Sequence, residues 1–154
     1  MIAHINIGTN KGDRMANLSR AVSLISKLSE SAPRVSCIIE TESWGYDSPN
    51  KYLNQAIEIS FSQTPEMLLE KLHEIEISID NSPHRDCDGG YIDRVIDIDL
   101  IFIDNQIINS EVLTIPHPRL DSRYFVLKLI DELSPCWVHP IKNKTAKQLL
   151  KELR

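Results

Sequence analysis

Apolar and polar positions alternate along several stretches of this chain, and a period of two marks strands with one buried face. Ala3, Ile5 and Ile7 alternate with polar neighbours, so the chain opens with a strand. A turn-rich loop, Gly8-Thr9-Asn10-Lys11-Gly12-Asp13, follows. Leu18, Ala21, Val22, Ile25 and Leu28 keep helical spacing, which predicts a first helix of about four turns. Pro33 closes that region, and Val35, Cys37 and Ile39 predict a second strand. Leu53, Ile57, Ile59 and Phe61 alternate with Tyr52, Asn54, Glu58 and Ser60, which predicts a third. Thr64-Pro65-Glu66 is a strong helix start: a hydroxyl cap, proline at the first position, then an acid. Leu68, Leu72, Ile75 and Ile79 form the apolar stripe of that second helix. Val95 to Ile103, rich in β-branched residues, reads as a fourth strand. Asp104-Asn105 then turns into a short strand at Gln106-Ile107-Ile108.

The order β-α-β-β-α-β predicts an α+β, ferredoxin-like sandwich, with helices on one face of a largely antiparallel sheet. Additional C-terminal helices follow a proline-containing loop from Thr114 to Ser122. One runs through Phe125, Leu129, Ile130 and Leu133, and the last starts at the capping box Thr145-Ala146-Lys147-Gln148. With 154 residues, no repeat and no long linker, one domain over 1–154 is expected.

Composition narrows the function. A net charge of −5 argues against a general nucleic-acid binder. It leaves room for an anionic substrate, since local arginines and Mg²⁺ can dominate a site. No apolar run approaches a membrane span, and Met1-Ile2-Ala3-His4-Ile5 lacks the pattern of a signal peptide. Cys37, Cys87 and Cys136 are widely spaced, as expected of reduced thiols in a cytoplasmic protein. The sequence is silent on oligomeric state, and a monomer is the working expectation.

The fourth strand carries Asp97-Ile98-Asp99. Alternation places Val95, Asp97, Asp99 and Ile101 on one face and Ile96, Ile98, Leu100 and Phe102 on the other. The two carboxylates then point the same way, roughly 6.5–7 Å apart at Cα. They repel unless solvated, protonated or bridged by a cation. Oxygen ligands suit Mg²⁺, and two such ions about 3.5–4 Å apart fit phosphoryl transfer. A solvated strand face with two harmless acids explains the motif equally well.

Three constellations flank the pair. His117, Arg119 and Arg123 sit on a proline-stiffened loop leading into a helix, and could bind a polyphosphate. Arg85 and Arg94 bracket the polar loop Asp86 to Asp93, with Gly89-Gly90, which could close over a substrate. Alternation puts Arg94 on the face opposite Asp97 unless the strand starts irregularly. Thr41 to Trp44, Tyr52, Asn54 and Phe125 could hold a flat heterocycle between aromatic faces, with an amide reading its edge. Ordinary ion pairs, a flexible loop and core aromatics explain the same residues. Gly8 to Arg14 does not match G-x-x-x-x-G-K-[ST], so a Walker A loop is rejected. His4, His73, His84 and His139 lack metal-ligand spacing, and no Ser or Cys sits in a nucleophile context.

Taken together, these motifs resemble the 6-hydroxymethyl-7,8-dihydropterin pyrophosphokinase family. The likeness runs end to end. It rests on Ile5-Asn6-Ile7-Gly8-Thr9-Asn10 with Gly12-Asp13-Arg14 and Asn17-Leu18, and on Tyr52-Leu53-Asn54-Gln55-Ala56. It rests also on Arg94-Val95-Ile96-Asp97-Ile98-Asp99-Leu100, and on Ile115-Pro116-His117-Pro118-Arg119-Leu120 with Arg123 and Phe125-Val126-Leu127. The resemblance implies a ferredoxin-like fold and transfer of pyrophosphate from MgATP to the pterin hydroxymethyl oxygen, leaving AMP, in folate biosynthesis. It implies Asp97 and Asp99 as holders of two Mg²⁺. It implies Tyr52 and Phe125 as a pterin sandwich, with Asn54, Thr41 and backbone near Trp44 reading the ring edge. Arg94, His117, Arg119 and Arg123 would contact ATP, Arg85 would be a lid arginine, and Glu76 matches a position near the site. The likeness breaks where the family commonly places Trp-Gly-Pro, since this chain has Tyr91-Ile92-Asp93. Its lid loop carries Asp86, Asp88 and Asp93 and only Arg85.

The leading expectation is therefore a Mg-dependent pterin pyrophosphokinase acting on two small molecules, with no nucleic acid and no membrane. The alternatives are a non-catalytic pterin- or nucleotide-binding ferredoxin-like module with a weakened lid, and another Mg-dependent nucleotide enzyme on the same fold.

Overall fold

The computed structural model describes residues 1–42, 50–80 and 93–153. Its elements begin with β1 (Ile2–Thr9), α1 (Arg14–Ser26), β2 (Arg34–Val35), β3 (Ile39–Thr41), β4 (Tyr52–Ser60) and α2 (Pro65–Ile79). They continue with β5 (Asp97–Ile103), β6 (Ile108–Asn109), β7 (Thr114–Ile115), α3 (Tyr124–Leu133) and α4 (Ala146–Glu152). β1 pairs antiparallel with β4 on one side and β5 on the other, and β2 and β3 both pair antiparallel with β4. The order β2/β3-β4-β1-β5 is that of the ferredoxin-like sandwich.

Local chemistry sets the helix starts. Asp13 caps α1 by accepting from Ala16 N, Thr64 caps α2 by accepting from Met67 N, and Thr145 with Gln148 closes a reciprocal capping box on α4. Gly12, at φ +76°, makes the left-handed turn before α1 that a side chain would resist.

The two sheet faces have different fates. Ala3, Ile5 and Ile7 of β1, Leu53, Ile57 and Ile59 of β4, and Ile98, Leu100 and Ile103 of β5 bury the main core against α1 and α2. The opposite face is not left to solvent, as helices on one face alone would leave it. α3 and α4 cover its far end, through a second cluster built on Ile101, Phe102, Leu127, Ile130 and Trp137.

Two strands depart from simple alternation. Ile5 pairs with Leu100 but His4 pairs with Phe102, so Ile101 is an extra residue and β5 bulges. Phe102 therefore joins Ile101 on the Asp97 face, not Ile98 on the other. The second strand is interrupted: Val35 pairs with Ile57 but Ile39 pairs with Asn54, so Ser36 to Ile38 span only Gln55 and Ala56. There Ser36 Oγ accepts from Ala56 N, and Cys37 N donates to Glu132 on α3. A hydroxyl replaces a ladder carbonyl and the strand breaks in two.

Candidate active site

The face of the sheet shared by Asp97 and Asp99 carries polar rows that no strand shows by itself. Antiparallel register aligns Ile39, Asn54, Gly8 and Asp97 across β3, β4, β1 and β5. The next row is Ala56, Asn6 and Asp99. The near end of α3 roofs these rows, enclosing a cleft of about 600 Å³ that counts its open mouth. Asn6, Gly8, Thr41, Tyr52, Asn54 and Phe125 line it, with Arg94, Asp97, Asp99 and Arg123 at the charged end.

The polarity of the uncharged end is set by hydrogen bonds. Asn54 Nδ2 donates to Ile39 O at 3.1 Å and to Thr41 Oγ1 at 2.8 Å. Its donors are spent on the protein, so Oδ1 is left as an acceptor toward the cleft. Thr41 Oγ1, having accepted, keeps its proton to give. Gly8 forms the floor between them: a Cβ there would lie 3.4 Å from Tyr52 Cδ1 and 3.5 Å from Asn54 Oδ1. That is ordinary contact and no clash, so the glycine serves to keep space open. Tyr52 and Phe125 are both half-buried on this cleft.

The charged end pairs each carboxylate with an arginine. Arg94 Nη1 donates to Asp97 Oδ1 at 2.6 Å, and Arg123 Nη1 lies 3.8 Å from Asp99 Oδ2. Arg94 thus faces the same way as Asp97, against strict alternation, because residues 93–96 precede the strand. Asn10 holds this entry: its Oδ1 accepts from Arg94 N at 2.7 Å, and its Nδ2 donates to Asp93 Oδ1 at 2.9 Å. Behind the pair, Glu76 on α2 takes a position that an apolar stripe would fill. Its Oε2 accepts from Ile98 N at 2.8 Å and so covers the open edge of β5. Burial first, and Asp97 among its neighbours, raise the Glu76 pKa to about 7, with the Ile98 amide opposing. Burial also raises Asp99; Arg123 and Arg94 oppose this, and Glu76 adds to it.

The 115–123 loop is tied to the bulge, where His117 N donates to Ile101 O at 2.7 Å. Burial and the charges of Arg123 and Arg119 lower the His117 pKa to about 4, so the ring is neutral at pH 7. Arg119 N donates to His117 Nδ1 at 3.1 Å, which leaves the ring proton on Nε2. Arg119 itself is exposed and does not line the cleft. Among the described residues, no group of three or more His, Cys, Asp or Glu side chains could hold a metal ion. Trp44, Arg85 and nearly all of the lid loop lie outside the described residues.

The 7,8-dihydro-6-hydroxymethylpterin-pyrophosphokinase (HPPK) family model matches residues 4–135. The chain belongs to this family. It is accordingly an enzyme of the hydroxymethyldihydropterin pyrophosphokinase type. A Bacillus subtilis 2-amino-4-hydroxy-6-hydroxymethyldihydropteridine pyrophosphokinase is 36% identical over 133 residues, covering 86% of this chain and 77% of its own. An Aquifex aeolicus protein of the same name is 27% identical over 149 residues, 97% of this chain and 90% of its own. Among solved structures, the Plasmodium falciparum HPPK-DHPS A437G protein matches 98% of this chain with a TM-score of 0.72 at 14% identity. At that identity it bears on the fold alone, and this chain spans 45% of its length.

The HPPK match takes in every site residue singled out from the sequence and stops short of α4. Two residues escaped the sequence reading. Asn6 looked like one more polar position of β1, yet it is buried in the cleft. Asn10 looked like turn chemistry, yet its side chain fixes Arg94 across 84 residues of sequence. A polar residue in the central strand was the available signal for the first; nothing local signalled the second.

Proposed function

We propose that this pyrophosphokinase transfers the β,γ-pyrophosphoryl group of ATP to the hydroxymethyl oxygen of 6-hydroxymethyl-7,8-dihydropterin, in folate biosynthesis. The observation that carries this is one cleft with a hydrogen-bonding slot for a flat ring at one end and two carboxylates among arginines at the other. The ring's N–H groups suit the Asn54 acceptor, and its faces suit Tyr52 and Phe125. The hydroxymethyl arm then reaches toward Asp97 and Asp99.

The oxygen attacks the β-phosphorus, its bond to the α-phosphate oxygen breaks, and AMP leaves while the hydroxyl proton is lost. Alignment and charge neutralisation dominate such a reaction. Arg94, Arg123, Arg119 and the Nε2–H of neutral His117 are the groups that would bind the triphosphate. Two carboxylates on one strand face fit Mg²⁺, which takes few protein ligands and completes its shell with phosphates and water. Asp97 and Asp99 would hold it, and it would screen the phosphates and acidify the hydroxyl.

Asp97→Asn and Asp99→Asn should each cut turnover about 10³-fold, the scale of losing one transition-state stabiliser, while pterin affinity stays within about twofold. Near-wild-type turnover in either variant would overturn the assignment of the pair.

A further inference from the structure

Taking the cleft as the pterin site, we infer that Asn6 is a substrate contact whose Nδ2–H reads the second ring of the pterin at N5. Asn6 lies mid-way along β1 and is only 5% exposed. Its Oδ1 lies 3.1 Å from His4 Nε2. His4 is itself held, with Nδ1 against Glu58 Oε2 at 2.7 Å and its ring stacked on Phe102. Glu58 is fixed in turn by Arg34 and by the Ser134 hydroxyl. The carbonyl end of the Asn6 amide thus faces His4, inside the protein.

The nitrogen end is committed to nothing. Asn6 Nδ2 is buried and has no hydrogen-bond partner among the described residues, while Asn6 lines the cleft. A buried donor left unmet costs free energy, and such a group in a folded chain calls for a partner. A packing role alone would be better served by an apolar side chain. The cleft supplies the position where an acceptor would meet it.

Register says which part of a ligand that is. The pyrimidine end of the pterin goes to Asn54 and Thr41 on β4 and β3, and the hydroxymethyl end to Asp97 and Asp99 on β5. β1 runs between them, and Asn6 is paired with Asp99 on one side and Ala56 on the other. Asn6 therefore faces the second ring next to the hydroxymethyl-bearing carbon. In the 7,8-dihydro form, N8 of that ring is an N–H donor and N5 is its lone-pair acceptor. A donor at Asn6 matches N5, and leaves the hydroxyl lone pairs free for attack.

The test is binding of 6-hydroxymethyl-7,8-dihydropterin and its 5-deaza analogue, which puts C–H where N5 stands, to the whole protein with ATP absent. Wild type should prefer the natural ring about tenfold, the effect of one neutral hydrogen bond plus an unmet donor. Asn6→Ala and Asn6→Leu, which change the side-chain volume differently, should lower that preference to about twofold or less, with ATP affinity unchanged. A merely structural role would weaken both ligands alike and keep their ratio. Equal affinity of wild type for the two rings, or an undiminished preference in a folded variant, overturns the role of Asn6. Failure of wild type to bind either ring contradicts the pterin site itself.

Discussion

Glu76 is a carboxylic acid set against the backbone of a strand edge, and its pKa moves from 4.5 to about 7, chiefly through burial. The folded protein keeps a proton there that the unfolded chain has lost by pH 5. Stability from this group is therefore full below about pH 4.5 and lost as pH rises through about 7. His117 works in the opposite sense. Its folded pKa, about 4 against 6.5, removes stability as pH falls through that window. The wild-type profile sums the two, so a variant separates them. Glu76→Gln keeps an acceptor for Ile98 N and has no proton to lose. In metal-free buffer its stability should rise with pH between 5 and 7 more steeply than wild type, by up to about 1.4 kcal/mol per pH unit. Denaturation midpoints across that range measure it, and parallel profiles would place the titrating group elsewhere.

Among the elements, those with strong local signals were legible in the sequence. Capping residues marked the starts of α2 and α4, and alternation marked β1 and β4. Where long-range bonds decide, local pattern failed. Leu100 to Ile103 are four apolar residues in a row, so nothing distinguishes a bulged strand from a regular one. The break at Ser36 depends on a hydroxyl meeting Ala56, and the facing of Arg94 depends on Asn10. The acidic pair was legible because alternation alone puts both carboxylates on one face. Its surroundings were not, because Asn54, Gly8 and Asp97 become neighbours only through the register of three strands. Asn10 joins the end of β1 to the start of β5. Asn10→Ala should cost about 2 kcal/mol of stability, since it removes the side-chain acceptor of the Arg94 amide and one donor to Asp93. Turnover should fall by about tenfold or more as Arg94 loses its placement, with pterin affinity kept. Unchanged turnover in a folded variant would show that the strand, and not Asn10, places Arg94.

At the scale of the whole molecule, one sheet divides its labour between its faces. The α1/α2 side is apolar and carries the main core, while the other side is part core, under α3 and α4, and part cleft. The net charge of −5 is a poor guide to the ligand, because Arg94 and Arg123 gather around Asp97 and Asp99 at the charged end. Those arginines offset the charge of two crowded carboxylates, and under the proposed function a cation and a polyphosphate would take over part of that pairing. Pyrophosphoryl transfer to a pterin is read from the identity of the products. ATP and Mg²⁺ are incubated with the protein, with and without 6-hydroxymethyl-7,8-dihydropterin, and AMP and ADP are followed. AMP formed only with the pterin, in step with pterin diphosphate, is the predicted result. ADP as the product, or AMP formed equally without the pterin, would contradict it.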